Sequence, residues 1–226
     1  MAEIIPAILA KKFAEIEYKT SLVKTLVDTV QVDTCDGRFA DNLLWPYVEK
    51  GRPSDVVFQE LLTEKRGLPF WDELDYEFDL MVQEPESIIA DFVRIGASRL
   101  FVHFESTKCL EDIIHEWKNS VEIGIALKPS TPLEALDSFL HEIRSVQFMG
   151  SDRIGHAGVE LDERLHKRLR TFKQMHPLHL VSVDIGVNFE TAPRLVAAGA
   201  DRLVAGSAIF KSPNIKGAIK QLRDLV

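Results

Sequence analysis

GASRL at residues 96–100 and GADRL at residues 199–203 are two near-copies of one junction in a chain of 226 residues. In both, a helical pattern ends, glycine takes the position where the chain turns, and an apolar strand pattern begins. The copies fall in the fourth and eighth repeats of a strand-then-helix pattern, as expected of two half-barrels. This spacing favours a closed barrel over an open doubly wound sheet, the main alternative.

Apolar runs rich in β-branched residues alternate with helical patterns along the whole chain, eight of each. The predicted strands are 3–9, 29–33, 76–82, 99–104, 122–127, 145–149, 179–184 and 202–205. The predicted helices are 12–27, 55–65, 85–95, 110–119, 132–143, 162–175, 191–198 and 214–225. Several strands are continuously apolar, which is typical of a parallel sheet buried on both faces. We therefore predict a single (β/α)8 barrel domain over residues 1–226, a length that suits this fold.

Composition and charge exclude several classes of protein. Hydrophobic residues make up 46% of the chain and charged residues 27%, as in ordinary soluble domains. The formal charge is −8 and there is no basic stretch, so we expect no nucleic-acid partner. No apolar run is long enough for a membrane span, and the N-terminus lacks a signal-peptide layout. Two cysteines, Cys35 and Cys109, are too few for a disulfide framework or a zinc cluster and favour a reducing cytoplasm.

VQVDTCDG at residues 30–37 and VSVDIG at residues 181–186 each bring a strand to an aspartate, Asp33 and Asp184. A carboxylate at the end of a buried strand is costly unless it has a partner or a ligand. In a barrel the carboxyl ends of the strands form the active site, so we expect both aspartates to face one ligand. The other strand ends contribute Gln31, Asp79, His103, Glu105 and Lys128.

Glycines cluster after strands six, seven and eight. They occur in GSDRIGHAG at residues 150–158, at Gly186, and at Gly206 before Ser207. Glycine lets backbone N–H groups approach an anion closely, and barrels commonly hold a substrate phosphate at these loops. We predict phosphate or substrate binding there, and the alternative is that the glycines only make tight turns. The candidate binding residues are Gly155, His156, Ala157, Gly158, Gly186, Gly206 and Ser207.

Seven short motifs occur in a fixed order along the chain. They are IPAIL (5–9), VDTCDGRF (32–39), FDLM (78–81), VHFE (102–105), LKPSTP (127–132), VDIGVN (183–188) and VAGSAIF (204–210). In the same order they resemble P-S-I-L, V-D-V-M-D-G-x-F, V-H-L-M, V-H-x-E, L-N-P-x-T-P, V-D-G-G-V-N and the final phosphate loop of the ribulose-phosphate 3-epimerase family. The resemblance covers nearly the whole chain, and the ordered set is far more specific than any single motif.

The resemblance implies a phosphosugar epimerase that interconverts D-ribulose 5-phosphate and D-xylulose 5-phosphate. In the family two aspartates exchange a proton at C3 of the sugar, and Asp33 and Asp184 match their positions. Inversion requires a proton donor and a proton acceptor on opposite faces of a planar carbanion, which explains why two carboxylates are needed. The resemblance also implies a divalent metal that stabilises the enediolate, and a place for Met81 beside the substrate.

Several positions depart from the family pattern. The family holds its metal with two aspartates and two histidines, whereas Gln31 and Asp79 occupy the histidine positions here. The resulting all-oxygen set of Gln31, Asp33, Asp79 and Asp184 favours Mg²⁺ or Mn²⁺ over Zn²⁺. Lys128 stands where the family has asparagine, and it offers a cation to the carboxylates or to the enediolate.

These departures leave two alternatives open: an epimerase or isomerase of another phosphosugar, and a non-catalytic phosphosugar-binding relative. The D-x-K-x-x-D signature of the related orotidine-phosphate decarboxylase group is absent, since Cys35 follows Asp33 at the lysine position. The irregular stretch 38–75, with Trp45 and Trp71, indicates a lid or a subunit contact. A homo-oligomer is therefore among the expectations.

Overall fold

Eight parallel strands close into a barrel in the computed structural model, which describes residues 2–226. The strands are β1 (Glu3–Leu9), β2 (Thr29–Cys35), β3 (Asp75–Met81), β4 (Arg99–His103), β5 (Glu122–Leu127), β6 (Ser145–Met149), β7 (Leu180–Asp184) and β8 (Arg202–Ala205). Each strand pairs with the next in the chain, and β8 returns to β1 with Ile4 opposite Leu203. The (β/α)8 barrel is confirmed.

Helices lie between the strands and cover the barrel. They are α1 (Phe13–Val23), α2 (Val56–Leu62), α3 (Ile89–Arg94), α4 (Leu110–Trp117), α5 (Leu165–Met175), α6 (Thr191–Ala197), α7 (Ser207–Phe210) and α8 (Ile215–Asp224). In α1 the spacing of three to four residues puts Phe13, Ile16, Thr20 and Val23 on one buried face. Among residues 2–226, no helix has the length and apolarity needed to cross a membrane.

The segment between β5 and β6 differs from the prediction. A helix over 132–143 was expected, but the chain forms only a short 3₁₀ helix, Leu133–Leu136, followed by turns. Those turns preserve the three-to-four residue spacing, because Phe139 and Leu140 both donate to the Leu136 carbonyl. Leu136 and Ile143 are therefore buried as a helix would bury them. The apolar pattern indicates which side faces the core, and it does not specify the hydrogen-bond pattern.

An ionic cluster fills the amino-terminal end of the barrel. Glu77 on β3 is fully buried, and its Oε2 accepts from Arg99 at 2.6 Å and from Arg202 at 2.7 Å. Arg202 continues to Glu3 at 2.8 Å, and Arg99 continues to Glu122 at 2.9 Å. In barrels of this kind the amino-terminal face contributes to stability, and the opposite face carries the chemistry.

Two loops cover the carboxyl-terminal mouth of the barrel: residues 36–55 after β2 and residues 150–164 after β6. The Asn42 side-chain amide donates to the Gly155 carbonyl at 2.6 Å. Gly155 has φ +77°, and a Cβ there would lie 2.8 Å from Cys35 Sγ, so the close approach of the loops requires glycine. An apolar cluster lies beneath the loops, so the polar strand ends beside it have an apolar surrounding. Its members are Cys35, Ala40, Leu44, Met81, Phe101, Ala126, Met149, Ile154 and Ile185.

Candidate active site

Three carboxylates converge at the mouth of the barrel, from Asp33 on β2, Asp79 on β3 and Asp184 on β7. One oxygen of each lies within 4.8 Å of the others, and all three side chains are buried. Asp33 and Asp79 are register partners on adjacent strands, while β7 approaches from across the barrel. The fold thus brings together the acidic residues that the sequence separates by about 150 positions.

Gln31 connects two of these carboxylates. Its side-chain amide donates to Asp33 Oδ1 at 3.1 Å and to Asp184 Oδ2 at 3.3 Å. Gln31 and Asp33 share a face of β2 because strand side chains alternate with a period of two. The Gln31 Oε1 atom is buried and has no hydrogen-bond partner. The glutamine thereby relieves part of the repulsion between Asp33 and Asp184.

Asp79 lies deeper and has a different partner. Its Oδ1 atom is 2.9 Å from His103 Nε2 on the adjacent strand, and both side chains are fully buried. The Asp79 Oδ2 atom has no hydrogen-bond partner. Phe39, on the covering loop, packs against the His103 ring with centroids 5.1 Å apart. His103 therefore orients Asp79 from the side of the covering loop and does not line the cavity described below.

Burial dominates the electrostatics of the site. Burial raises the pKa of Asp33 to about 7, and the negative charge of Asp79 acts in the same direction. Burial also raises the pKa of Asp184 well above its usual range, with Asp33 and Asp79 adding to the effect. Without a cation, the cluster therefore holds at least one proton near neutral pH. Burial raises the pKa of the Cys35 thiol too, so Cys35 is a neutral packing residue.

The raised carboxyl pKa values give the cation-free protein a defined pH dependence. Between pH 4 and 7 the folded state keeps protons that the unfolded chain, with ordinary carboxyl pKa values, has released. The free energy of unfolding should therefore fall as pH rises through this window. We expect the thermal midpoint in EDTA to decrease from pH 5 to pH 7, and the Asp33→Asn variant to show a shallower decrease. Equal slopes in calorimetric scans of the two proteins would contradict this assignment.

Lys19 is a neighbour that the sequence analysis missed. Its ammonium donates to the Leu9 carbonyl at 2.7 Å, and its charge acts to lower the pKa of Asp33. Lys19 lies in helix α1, so reading only strand ends could not find it. Lys128 lies elsewhere: its Nζ is 4.2 Å from the centre of the Phe39 ring, and its backbone N–H donates to Glu105 at 2.9 Å.

A cavity of about 470 Å³ opens above Asp33 and Asp184, which both contribute to its lining. This volume lies within the roughly 300–1,000 Å³ typical of small-molecule sites. Most of the predicted binding residues line it, namely Met81, Gly155, His156, Gly158, Gly186, Gly206 and Ser207. Gln31 and Asp79 lie below the lining, and Ala157 and Lys128 lie outside it.

The backbone after β7 has an unusual conformation. Ile185 has φ +74°, a left-handed value that β-branched residues rarely adopt. Its N–H donates to Asp184 Oδ1 at 2.7 Å and so holds that carboxylate in place. Gly186 follows with φ +78°, and its carbonyl accepts from Thr191 Oγ1 at 2.7 Å. In the family motif the position of Ile185 is glycine, so this chain keeps the turn at a cost in backbone strain.

The donor set fits a divalent cation. Three carboxylates meet within 4.8 Å, and two buried oxygens beside them, Asp79 Oδ2 and Gln31 Oε1, have no hydrogen-bond partner. A cation between the carboxylates would offset the repulsion that adds to the effect of burial on their pKa values. The Gln31 amide would have to turn over to present its oxygen, since its nitrogen now faces Asp33 and Asp184. Oxygen ligands of this kind suit a hard cation.

Known proteins of the same fold include the 3-keto-L-gulonate-6-phosphate decarboxylase of Vibrio cholerae. Its structure matches with a TM-score of 0.73 at 13% identity, over 99% of this chain and 96% of that chain. At this identity the likeness defines the class of the protein as a (β/α)8 barrel and goes no further.

The sequence comparisons define the family. Residues 3–210 match the model of the ribulose-phosphate 3 epimerase family. The ribulose-phosphate 3-epimerases of Schizosaccharomyces pombe and Bacillus subtilis are each 30% identical to this chain. The first match spans 100% of the chain and 94% of the relative, and the second spans 99% of both. The chain belongs to the ribulose-phosphate 3-epimerase family, a family of divalent-metal-dependent isomerases of pentose phosphate metabolism. The resemblance inferred from the seven motifs is confirmed.

Proposed function

We propose that this protein interconverts D-ribulose 5-phosphate and D-xylulose 5-phosphate by proton transfer at C3. One observation carries the proposal: Asp33 and Asp184, from strands on different sides of the barrel, line a single cavity. The relatives of this chain in Schizosaccharomyces pombe and Bacillus subtilis carry the name ribulose-phosphate 3-epimerase. Two carboxylates on different sides of one bound sugar supply the acceptor and the donor that inversion requires.

The protonation of the pair supports this chemistry. One ionised carboxylate takes the C3 proton, leaving a planar enediolate, and the other, protonated carboxyl group returns a proton to the opposite face. In the absence of a cation the pKa of Asp33 is about 7, so burial makes the protonated form of this carboxyl group accessible near neutral pH, and the roles exchange with the direction of the reaction. The covering loops and the apolar cluster beneath them would limit the access of water to the carbanion.

The divalent cation would be held by the oxygen donors of Gln31, Asp33, Asp79 and Asp184. This donor set suits Mg²⁺ or Mn²⁺ better than Zn²⁺. When bound, the cation supplies positive charge that stabilises the developing oxyanion. His103 would keep Asp79 oriented, as outer hydrogen bonds do for metal-binding carboxylates. Glycines on the lining, Gly186 and Gly206, and the Ser207 side chain would receive the phosphate.

The deciding experiment is exchange of the C3 hydrogen in deuterated water, followed by proton NMR. We expect ribulose 5-phosphate to lose its C3 proton signal with Mg²⁺ or Mn²⁺ present, and xylulose 5-phosphate to accumulate. Binding without exchange, for every ketose phosphate tried, would support the non-catalytic alternative instead. A second candidate keeps the chemistry and changes the sugar; it is supported by His156, which lines the cavity from the glycine-rich loop after β6. A panel of ketopentose and ketohexose phosphates separates the two enzymes.

Restoring the family's histidines should change the metal preference. The Gln31→His/Asp79→His variant replaces two oxygen donors with nitrogen donors, which zinc favours. We expect this variant to bind Zn²⁺ more tightly than the wild type and to bind Mn²⁺ less tightly. Isothermal titration with each metal measures both affinities. The Asp79→Asn variant is the control: removing one carboxylate should weaken Mn²⁺ binding roughly tenfold or more without improving Zn²⁺ binding. An unchanged order of affinities would refute the assigned ligand set.

A further inference from the structure

The cavity has an unfavourable charge balance for a phosphorylated ligand. Its acidic lining residues are Asp33, Glu160, Glu163, Asp184 and Glu190. Among residues 2–226, Arg194 is the one arginine or lysine that lines it. A phosphate group carrying up to two negative charges meets these carboxylates as it enters, so the position of the single guanidinium matters for binding.

Arg194 is close in the fold to the loop where phosphate binding is predicted. It lies in α6, one helical turn after Thr191, whose hydroxyl is bonded to the Gly186 carbonyl at 2.7 Å. Helical side chains lean towards the amino-terminal end of their helix. The Arg194 side chain therefore extends back towards the Gly186 loop and the cavity, and it lines the cavity together with Gly206 and Ser207.

Arg194 is paired with an acidic residue of the neighbouring loop after β6. Both Glu163 oxygens pair with the guanidinium, one of them at 3.2 Å from an Arg194 terminal nitrogen. Glu163 lies within the loop after β6 that covers the site. Both side chains are largely exposed, at 49% for Arg194 and 65% for Glu163, so their pairing is weak. A phosphate group offers the same two-point geometry with more charge.

We propose that Arg194 binds the phosphate of the substrate, and that Glu163 competes with the phosphate for the same guanidinium. Glu163 thereby pairs with the Arg194 guanidinium until the phosphate group of the ligand replaces it. The inference rests on the proposed function for the identity of the sugar phosphate. The choice of ligand chemistry rests on the cavity and the guanidinium alone.

Binding constants of four variants test this proposal, with inorganic phosphate, ribulose 5-phosphate and unphosphorylated ribulose as probes in isothermal titration. Arg194→Gln should weaken binding of inorganic phosphate and of ribulose 5-phosphate at least about tenfold. Arg194→Lys should have an affinity between those of Arg194→Gln and the wild type, because lysine keeps the positive charge but loses the two-point hydrogen bonding of the guanidinium. Glu163→Gln should tighten binding several-fold. Arg164→Gln, which removes an exposed cation paired with Asp162 outside the lining, should have little effect. Binding of unphosphorylated ribulose should not change.

Arg194→Gln and Glu163→Gln are expected to change the phosphate affinity in opposite directions. This difference distinguishes phosphate binding by Arg194 from a purely structural role of the ion pair. A purely structural ion pair would be broken equally by Arg194→Gln and Glu163→Gln, so both would shift affinity in the same direction, and that result would overturn the proposal. Circular dichroism and thermal midpoints confirm that each variant folds. If deuterium exchange occurs but Arg194→Gln binds phosphate normally, the inference fails and the epimerase function stands. If exchange is absent while phosphate binding depends on Arg194, the function fails and the inference stands.

Discussion

Asp184→Asn is expected to slow the conversion of ribulose 5-phosphate to xylulose 5-phosphate by roughly 10²–10⁴-fold, the range for losing a general acid or base. The amide keeps the size of the carboxylate and can still accept the Ile185 N–H, but it neither takes nor returns a proton. Asp33→Asn should act similarly, since the reaction needs both groups in each direction. The measurement is the initial rate at which xylulose 5-phosphate forms from ribulose 5-phosphate, with saturating Mn²⁺.

Thermal stability, measured in the same samples, shows whether a loss of activity comes from unfolding. Replacing either buried carboxylate removes mutual repulsion, so both variants should melt at or above the wild-type temperature in EDTA at pH 7. Asp41→Asn is the matched control, because Asp41 is exposed on the loop that covers the site and does not line the cavity. It should keep the wild-type rate of epimerisation. Epimerisation rates within threefold of wild type in Asp184→Asn would remove this residue from the mechanism.

Glu77→Gln is expected to lower the free energy of unfolding by roughly 3–5 kcal/mol. Glu77 is fully buried, and Arg202 beside it is 2% exposed, so losing the carboxylate leaves a buried guanidinium with reduced compensation. Arg99 also loses its 2.6 Å partner, although Glu122 still contacts it. Urea unfolding, with the transition followed by circular dichroism, measures the difference.

An exposed ion pair on α8 provides the control for the effect of burial on stability. Asp224→Asn removes a carboxylate from an exposed ion pair with Lys220 on α8, and we expect little change in stability, as is usual for surface pairs. The exchange rate per folded molecule should stay unchanged in Glu77→Gln, because the ionic cluster lies at the end of the barrel away from the cavity. A loss of stability no larger in Glu77→Gln than in Asp224→Asn would show that burial does not govern this pair.

The sequence predicts most of the barrel because two local signals agree along the chain. Continuous apolar runs mark strands buried on both faces, and three-to-four residue spacing marks the helices that cover them. The segment 132–143 shows the limit of that reading, since turns around Leu136 bury the same residues as a helix would. The short helix α7, Ser207–Phe210, escapes prediction because four residues contain too little periodicity.

The sequence likewise predicts some residues of the candidate site and not others. Strand ends of a parallel barrel meet at one face, so Asp33, Asp79 and Asp184 could be grouped before any coordinates were known. Lys19 and Arg194 could not, since they reach the site from helices whose sequence patterns report only a buried face and an exposed face. Strand position and the family motif both predict Lys128 beside the carboxylates, but its side chain extends to Phe39 instead.

By itself the sequence determines the (β/α)8 architecture, the family and the pair of aspartates, because hydrophobic period and ordered motifs are local properties of the chain. Tertiary structure alone decides how those groups behave. The raised pKa of Asp33 arises from burial and from Asp79, and the bridging role of Gln31 arises from the meeting of β2 with β7. The pairing of Arg194 with Glu163 depends on helix α6 meeting the loop after β6 at one rim of the barrel. Desolvation and Coulomb interactions depend on distances in space, which spacing along the chain does not encode.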